Sequence, residues 1–216
     1  MNNQPVRTNN ALSSTWRAAR VLTLAVAAAA TLGGCAAVAI GGALGTALMV
    51  SDRRTAGVQV EDQSIELKSL TRIREAVGER GHVNATSFNR MVLITGEVPT
   101  QADRTAVEQA ITRIENVRST VNDLAVMGPS SLTARSNDAI LTSKVKATFI
   151  DAKDLHATAV KVLTERGTVY LMGRVTEREA TRAVELARGI SGVQKVVRVF
   201  EILTEDELKA LGGTKD

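Results

Sequence analysis

The sequence predicts an α+β protein built from two tandem modules, each with the element order helix–strand–strand–helix–strand. Self-similarity at a spacing of 76–77 residues indicates the duplication, since residues 92–98 (VLITGEV) match residues 169–175 (VYLMGRV). Within each copy, helical and strand periods of hydrophobicity alternate in the same order. We therefore place the modules at 62–127 and 136–203, with a linker at 128–135 and a C-terminal tail at 204–216.

The N-terminal segment has the three-part pattern of a targeting signal. Residues 1–20 hold three arginines and no acidic residue, residues 21–30 (VLTLAVAAAA) are apolar, and Leu-Gly-Gly precedes Cys35. The four residues 32–35 (LGGC) resemble the lipobox of bacterial lipoproteins. This resemblance implies that 1–34 is a signal peptide and that fatty-acyl groups modify Cys35 after cleavage. An uncleaved transmembrane helix over 21–50 remains an alternative from length alone.

After this signal we expect a lipidated N-terminus and flexible tether at 35–61. The whole chain has 27 basic and 23 acidic residues, and removal of the signal with its three arginines leaves 24 and 23. A net charge of +1 gives no support for a nucleic-acid partner. The basic excess of the full sequence therefore belongs to the signal.

Few residues in the chain are suited to catalysis or metal binding. One cysteine excludes an internal disulfide and a cysteine-rich metal centre. His82 and His156 lie far apart, and neither belongs to a recognisable nucleophile or metal-ligand motif. We expect a non-enzymatic protein with no metal and no cofactor apart from the covalent lipid on Cys35.

The spacing of apolar residues predicts which face of the first helix and of the second strand is buried in each module. Apolar positions recur at helical spacing, at Leu70, Ile73 and Val77 in the first module and at Leu141, Val145 and Phe149 in the second. Asp138 is predicted to cap the second of these helices. Gly96 and Gly173 each interrupt an apolar strand face, which suggests that a helix backbone crosses closely there.

The remaining elements follow in both copies. Thr100-x-x-Asp103 and Thr176-x-x-Glu179 have the spacing of capping boxes and begin the second helices. The predicted buried stripes are Ala106, Val107, Ala110, Ile111 and Ile114, and Ala180, Ala183, Val184, Ala187 and Ile190. Closing strands are predicted at about 117–127 and 193–202, and a terminal helix at 203–211.

A strand ending in Gly-x-Val, a capped alanine-rich helix and a closing strand with spaced valines resemble the BON domain. That resemblance implies a three-stranded mixed sheet packed by two helices in each module. A lipobox, a short tether and two such modules together resemble the dual-BON outer-membrane lipoproteins. The likeness implies a lipid anchor at the periplasmic face of the outer membrane, binding to anionic phospholipid through the second module, and a role in envelope integrity.

Charge favours the second module as the one that meets an acidic surface, because 62–127 has a net charge of −1 and 136–203 a net charge of +3. On its first helix, Ile140 and Lys144 are four residues apart and lie at the edge of the apolar face. In BON domains this helix is thought to face lipid. Lys146, Arg174 and Lys195 are further candidates for contact with lipid.

Two alternatives remain open from the sequence. Ile140 could pack against the other module instead of facing lipid. The two modules could also serve as a periplasmic protein–protein adaptor for an envelope assembly or division machine, with lipid contact incidental.

Overall fold

A computed structural model describes residues 52–211. Cys35, the signal and most of the tether lie outside the described residues. The helices in this part are α1 (Ala56–Val77), α2 (Gln101–Thr112), α3 (Leu132–Asp151), α4 (Glu177–Arg188) and α5 (Glu205–Leu211). The strands are β1 (His82–Phe88), β2 (Met91–Val98), β3 (Ser119–Asn122), β4 (Ala125–Val126), β5 (Val160–Glu165), β6 (Thr168–Thr176) and β7 (Lys195–Leu203). Single 3-10 turns, Gly78–Arg80 and Ala157–Ala159, precede β1 and β5.

Each module has a mixed sheet with its second strand in the middle. β2 pairs antiparallel with β1 and parallel with β3 and β4. β6 pairs antiparallel with β5 and parallel with β7. The predicted α+β class and the duplicated αββαβ order are confirmed. The closing strand of the first module is split in two, because the Asn122 side chain accepts a hydrogen bond from the amide of Leu124 and turns the chain between β3 and β4.

The first helix of each module begins earlier than its module boundary at 62 or 136. Thr55 caps α1 and Ser131 caps α3, each accepting a hydrogen bond from the backbone amide three residues later. Parts of the expected tether and linker are therefore helical. The prediction that Asp138 caps its helix is wrong, because Ser131 occupies that position and Asp138 lies two turns further on.

Two cores form where a pair of helices covers one face of each sheet. The first contains Ile65, Ile73, Val77, Val92, Ile94, Val98, Val107, Ile111, Ile114 and Leu124. The second contains Val145, Phe149, Leu155, Ala159, Val160, Val162, Val169, Leu171, Val175, Ala180, Ala183, Val184 and Ala187. Two predicted core positions are wrong: Leu70 is 57% exposed and Ala106 is also exposed. Ser69 is buried instead of Leu70, and its hydroxyl donates to the carbonyl of Ile65.

A third core lies between the two sheets and joins the modules. It consists of Phe88, Leu93, Tyr170, Met172 and Val199. Because side chains alternate along a strand, Leu93 and Tyr170 face away from the helix-covered sides of β2 and β6. The layers therefore run helix–sheet–sheet–helix, and both central strands carry apolar side chains on both faces. The Tyr170 hydroxyl donates to Asp123 Oδ2 at 2.7 Å, and burial together with this carboxylate raises the pKa of Tyr170.

The central glycines lie against neighbouring backbone, but the predicted helix crossing is wrong. A Cβ on Gly96 would overlap the carbonyl oxygen of His82 at the start of β1. A Cβ on Gly173 would overlap the carbonyl oxygen of Ala159, in the 3-10 turn before β5. The close approach therefore comes from the adjacent strand of the same sheet and the turn that leads into it.

The hairpin turns of the two modules have the same conformation but different residues. Asn89 and Arg90 have φ of 51° and 63°, and Arg166 and Gly167 have φ of 51° and 68°. Two consecutive left-handed residues are the requirement of a type I′ hairpin turn. Arg90 therefore holds a conformation that costs a non-glycine residue about 1–2 kcal/mol.

We expect Arg90→Gly to raise the free energy of unfolding by about 0.5–1 kcal/mol, because relief of the left-handed arginine exceeds the entropy cost of glycine. Urea denaturation followed by circular dichroism measures this change. Gly167→Ala is the reciprocal variant and should destabilise, because alanine rarely adopts the φ of 68° found there. If the Arg90→Gly protein is no more stable than the wild type, the left-handed conformation of Arg90 is not strained.

The C-terminal helix is present, and it begins at Glu205, two residues after its predicted start at 203. The Thr204 hydroxyl accepts from the amide of Glu207, whose carboxylate accepts from the amide of Thr204.

Among the helices of residues 52–211, none is both long enough and apolar enough to cross a membrane.

Candidate functional site

A groove of about 710 Å³ opens at one end of the second module. It lies between α3, the turn that joins β5 to β6, and the loop that joins α4 to β7. Its lining residues are Met127, Ser130, Ala134, Asn137, Asp138, Ile140, Leu141, Lys144, Arg166, Gly167, Ser191, Gly192 and Gln194.

Buried contacts fix the walls of this groove. The Asp138 carboxylate accepts hydrogen bonds from the amides of Arg166 and Gly167, both at 2.8 Å, and so ties the hairpin turn to α3. Gly192 has a φ of 100°, and a Cβ there would lie 2.8 Å from Leu141 Cδ2. Glycine allows the backbone conformation with which this loop approaches α3.

Ile140 and Lys144 lie together on the α3 rim of the groove. Ile140 is 53% exposed, so it does not pack beneath the other module. Lys144 is exposed one helical turn further along, where its side chain is a neighbour of Ile140. Met127, 50% exposed, adds a second apolar side chain to the same groove. The rim thus offers apolar surface beside a positive charge.

The three other predicted lysine and arginine sites lie in different places. Lys195 is exposed at the start of β7 and follows Gln194 of the groove. Lys146 lies on another face of α3, beside Ile150. Arg174 lies six residues along β6 from Thr168, about 20 Å from the groove end at strand rise.

Arg174 is not an available surface charge. Its Nε donates to Glu201 Oε1 at 3.0 Å, and its Nη1 donates to the carbonyl of Arg53 at 3.1 Å. In the part of the chain that the structure describes, no ion pair engages Lys144, Lys146 or Lys195. The structure therefore groups Ile140, Lys144 and Lys195 at one end of the module, and separates Lys146 and Arg174 from them.

Met127 and Arg166 are two of the groove residues that the sequence analysis did not identify. Met127 belongs to the end of the first module, and no local pattern connects it with α3. Arg166 reaches across the seam between the modules, where its Nη1 donates to the carbonyl of Gly96 at 2.7 Å and to Glu97 Oε1 at 3.2 Å. Only the docking of the two modules brings Met127 to the groove, whereas Arg166 lies there through the hairpin turn of its own module.

The first described residues attach to both modules at the end of β6 away from the groove. Arg53 makes a bidentate pair with Glu179, with both hydrogen bonds at 2.7 Å. Arg54 donates to Asp62 Oδ2 of the first module at 2.8 Å. Burial alone would raise the pKa of Glu179, but the hydrogen bonds from Arg53 and from the amide of Thr176 lower it to about 2.

A second polar cluster bridges the modules near the groove. His82 Nδ1 lies 3.3 Å from Glu97 Oε2 and 4.0 Å from Glu165 Oε1. Burial would raise the pKa of Glu97, but the Ser130 amide and Arg166 lower it. Burial raises the pKa of Glu165, and its partner Asn84 only partly opposes that shift. Two carboxyl groups with opposite shifts thus lie beside one imidazole.

Comparison with known proteins agrees with the duplicated fold. The BON domain matches residues 52–128 and 137–204, which together are more than half of the chain. This protein belongs to the BON-domain family. The first range covers α1 to β4, and the second runs from within α3 to the end of β7.

Three known proteins are similar to the chain. Outer membrane lipoprotein DolP of Haemophilus influenzae is 36% identical over 185 residues, which cover 84% of this chain and 95% of that protein. The 21 kDa hemolysin of Actinobacillus pleuropneumoniae is 29% identical over 151 residues, 69% of this chain and 78% of that protein. Osmotically-inducible protein Y of Escherichia coli is 36% identical over 61 residues, 28% of this chain and 30% of that protein.

Proposed function

We propose that this BON-family protein is a non-enzymatic lipoprotein of the outer membrane, anchored at the periplasmic face by acyl chains on Cys35. Its second module contacts anionic phospholipid through the rim that carries Ile140 and Lys144, and the protein supports envelope integrity. The observation that carries the lipid contact is the exposure of Ile140 beside the unpaired Lys144. Similarity to a protein named outer membrane lipoprotein supports the anchor and its location.

The energetics suit a contact that assists an existing anchor. A lysine near an anionic bilayer contributes about 1 kcal/mol, so Lys144 and Lys195 together contribute about 2 kcal/mol. Partial insertion of Ile140 adds a hydrophobic contribution of similar order. Such a site is weak alone, but lipidation keeps the module at the surface, where a second weak signal produces stable attachment.

The length of the tether is compatible with this orientation. The described chain begins beside Glu179, at the opposite end of β6 from the groove. The nine residues of β6 span about 30 Å. Residues 36–51 can span at most about 55 Å when fully extended, which exceeds that distance. Groove and anchor can therefore meet the same bilayer.

We expect the fragment 49–216 to float with phosphatidylglycerol vesicles and to lose about tenfold in partitioning on Ile140→Glu or Lys144→Glu. The fragment lacks the acyl anchor and corresponds to one compact unit. Flotation at two salt concentrations measures the binding, which should fall as salt rises because surface charges are screened.

Ile150→Glu is the matched control, because Ile150 is 74% exposed on the same helix but lies beside Lys146, away from the groove. This variant should bind like the wild type. Equal losses from Ile140→Glu and Ile150→Glu would reject the groove rim as the contact. A fragment that floats with no lipid composition would reject lipid binding and favour the adaptor function.

A further inference from the structure

We infer that His82, Glu97 and Glu165 form a binding site for a divalent metal ion of the zinc type, shared between the two modules. Each residue offers one donor atom, and the three donors all lie within 4.8 Å of one another. The imidazole Nδ1 of His82 is the central donor, at 3.3 Å from Glu97 Oε2 and 4.0 Å from Glu165 Oε1.

The donor set and its spacing suit zinc. One histidine nitrogen and two carboxylate oxygens leave a fourth tetrahedral position for water. Ligand bonds of about 2.0–2.2 Å in a tetrahedron place neighbouring donors about 3.4 Å apart. The distance between His82 Nδ1 and Glu97 Oε2, 3.3 Å, is already close to this value. The carboxylate of Glu165 has to approach His82 by about half an ångström, and the two carboxylates, whose donor atoms lie within 4.8 Å of each other, have to reach the same spacing.

Charge at the cluster also favours a cation. The Glu97 and Glu165 side chains are 0% and 7% exposed, and such buried carboxylates require compensation. Arg166 contacts Glu97, but the partner of Glu165 is the neutral amide of Asn84, at 3.1 Å. No lysine or arginine among residues 52–211 forms an ion pair with Glu165.

The site has both a route of entry and supporting contacts. A cavity of about 380 Å³ is lined by His82, Asn84 and Glu165, and its lining also includes Arg135 and Asp138. The Asn84 amide donates to Glu165 Oε2 at 3.1 Å, and the Ser130 amide donates to Glu97 Oε2 at 3.1 Å. Contacts of this kind hold ligating side chains in position around a metal.

The ligands come from three strands of two modules. His82 and Glu97 are cross-strand partners in the β1–β2 register, and Glu165 ends β5 in the other sheet. An ion bound here would cross-link the modules. Their separation in the sequence explains why spacing alone gave no sign of the site.

Isothermal titration of the untagged fragment 49–216 with ZnCl₂ tests the site. All three cores lie within this fragment, which is one compact unit without Cys35. We expect one saturable ion per chain and a rise in Tm with zinc. His82→Ala and Glu165→Gln should each weaken binding about 100-fold. Co²⁺ should give a visible absorption band that both variants lose.

His156→Ala is the control, because His156 precedes the first strand of the second module but is exposed. It should bind zinc like the wild type. Circular dichroism establishes that each variant is folded, and Glu165→Gln, which preserves side-chain shape, decides the outcome if His82→Ala unfolds. No saturable binding below about 1 mM zinc, or equal affinity in wild type and Glu165→Gln, would overturn the site.

Discussion

Replacing Gly96 by alanine is expected to lower the free energy of unfolding by about 4 kcal/mol. Gly96 has a φ of 113°, which alanine rarely adopts, and the added Cβ would overlap the carbonyl oxygen of His82. That oxygen belongs to the backbone of the neighbouring strand, so a side-chain rotation cannot relieve the overlap. The β1–β2 ladder has to separate at its end.

Differential scanning calorimetry measures the loss, and Gly57→Ala supplies the control. Gly57 lies in α1 with no atom within 4 Å of an added Cβ. Alanine is the better helix former, so this variant should be stabilised by up to about 1 kcal/mol. A Gly96→Ala protein with the Tm of the wild type would show that β1 can shift freely at this point.

The sequence predicted those parts of the fold that depend on local patterns. Residues 92–98 and 169–175 are apolar, contain a central glycine and recur, so both central strands and the duplication were predictable. The capping spacing at Thr176 and Glu179 likewise located the start of α4, because both partners of that contact lie within one helical turn.

Contacts between distant residues were not predictable in this way. Leu70 satisfies the helical period, yet the buried face of α1 runs through Ile65, Ser69 and Ile73. Ser69 can be buried there because its hydroxyl bonds within the helix. Asp138 is of a residue type that often caps helices, but its carboxylate accepts a hydrogen bond from the amide of Arg166 in a turn 28 residues away. The sheet-to-sheet core had no sequence signal beyond strands that are apolar on both faces.

The same distinction between local patterns and distant contacts applies to the residues of the candidate site. Ile140 and Lys144 share a helix edge, so the period of α3 was enough to pair them. Arg174 had the same chemical character as Lys144, but Glu201 from β7 engages it. Met127 reaches the groove only through the docking of one module on the other.

Replacing Asp62 by alanine should cost about 4 kcal/mol, and Asp138→Ala about 2–3 kcal/mol. Each carboxylate accepts two amides of its hairpin turn: Asn89 and Arg90 in the first module, Arg166 and Gly167 in the second. These amides lose their partner when the carboxylate is removed.

Asp62 has further partners that Asp138 lacks, which explains the expected difference. The Ser87 hydroxyl donates to Asp62 at 2.6 Å, and Arg54 forms an ion pair with it at 2.8 Å. Urea denaturation of both variants measures the two losses. Asp151→Ala is the control, since Asp151 is exposed at the end of α3 and should change stability little.

The comparison of the two variants also separates stability from the proposed membrane contact. Asp138→Ala frees the β5–β6 turn that forms one wall of the groove, so it should weaken flotation with anionic vesicles in addition to stability. Asp62→Ala acts on the far turn and should leave flotation unchanged at a temperature where the protein is folded. Equal stability losses would mean that Arg54 and Ser87 add nothing to the buried carboxylate. Equal flotation losses would mean that the groove wall has no special role in membrane contact.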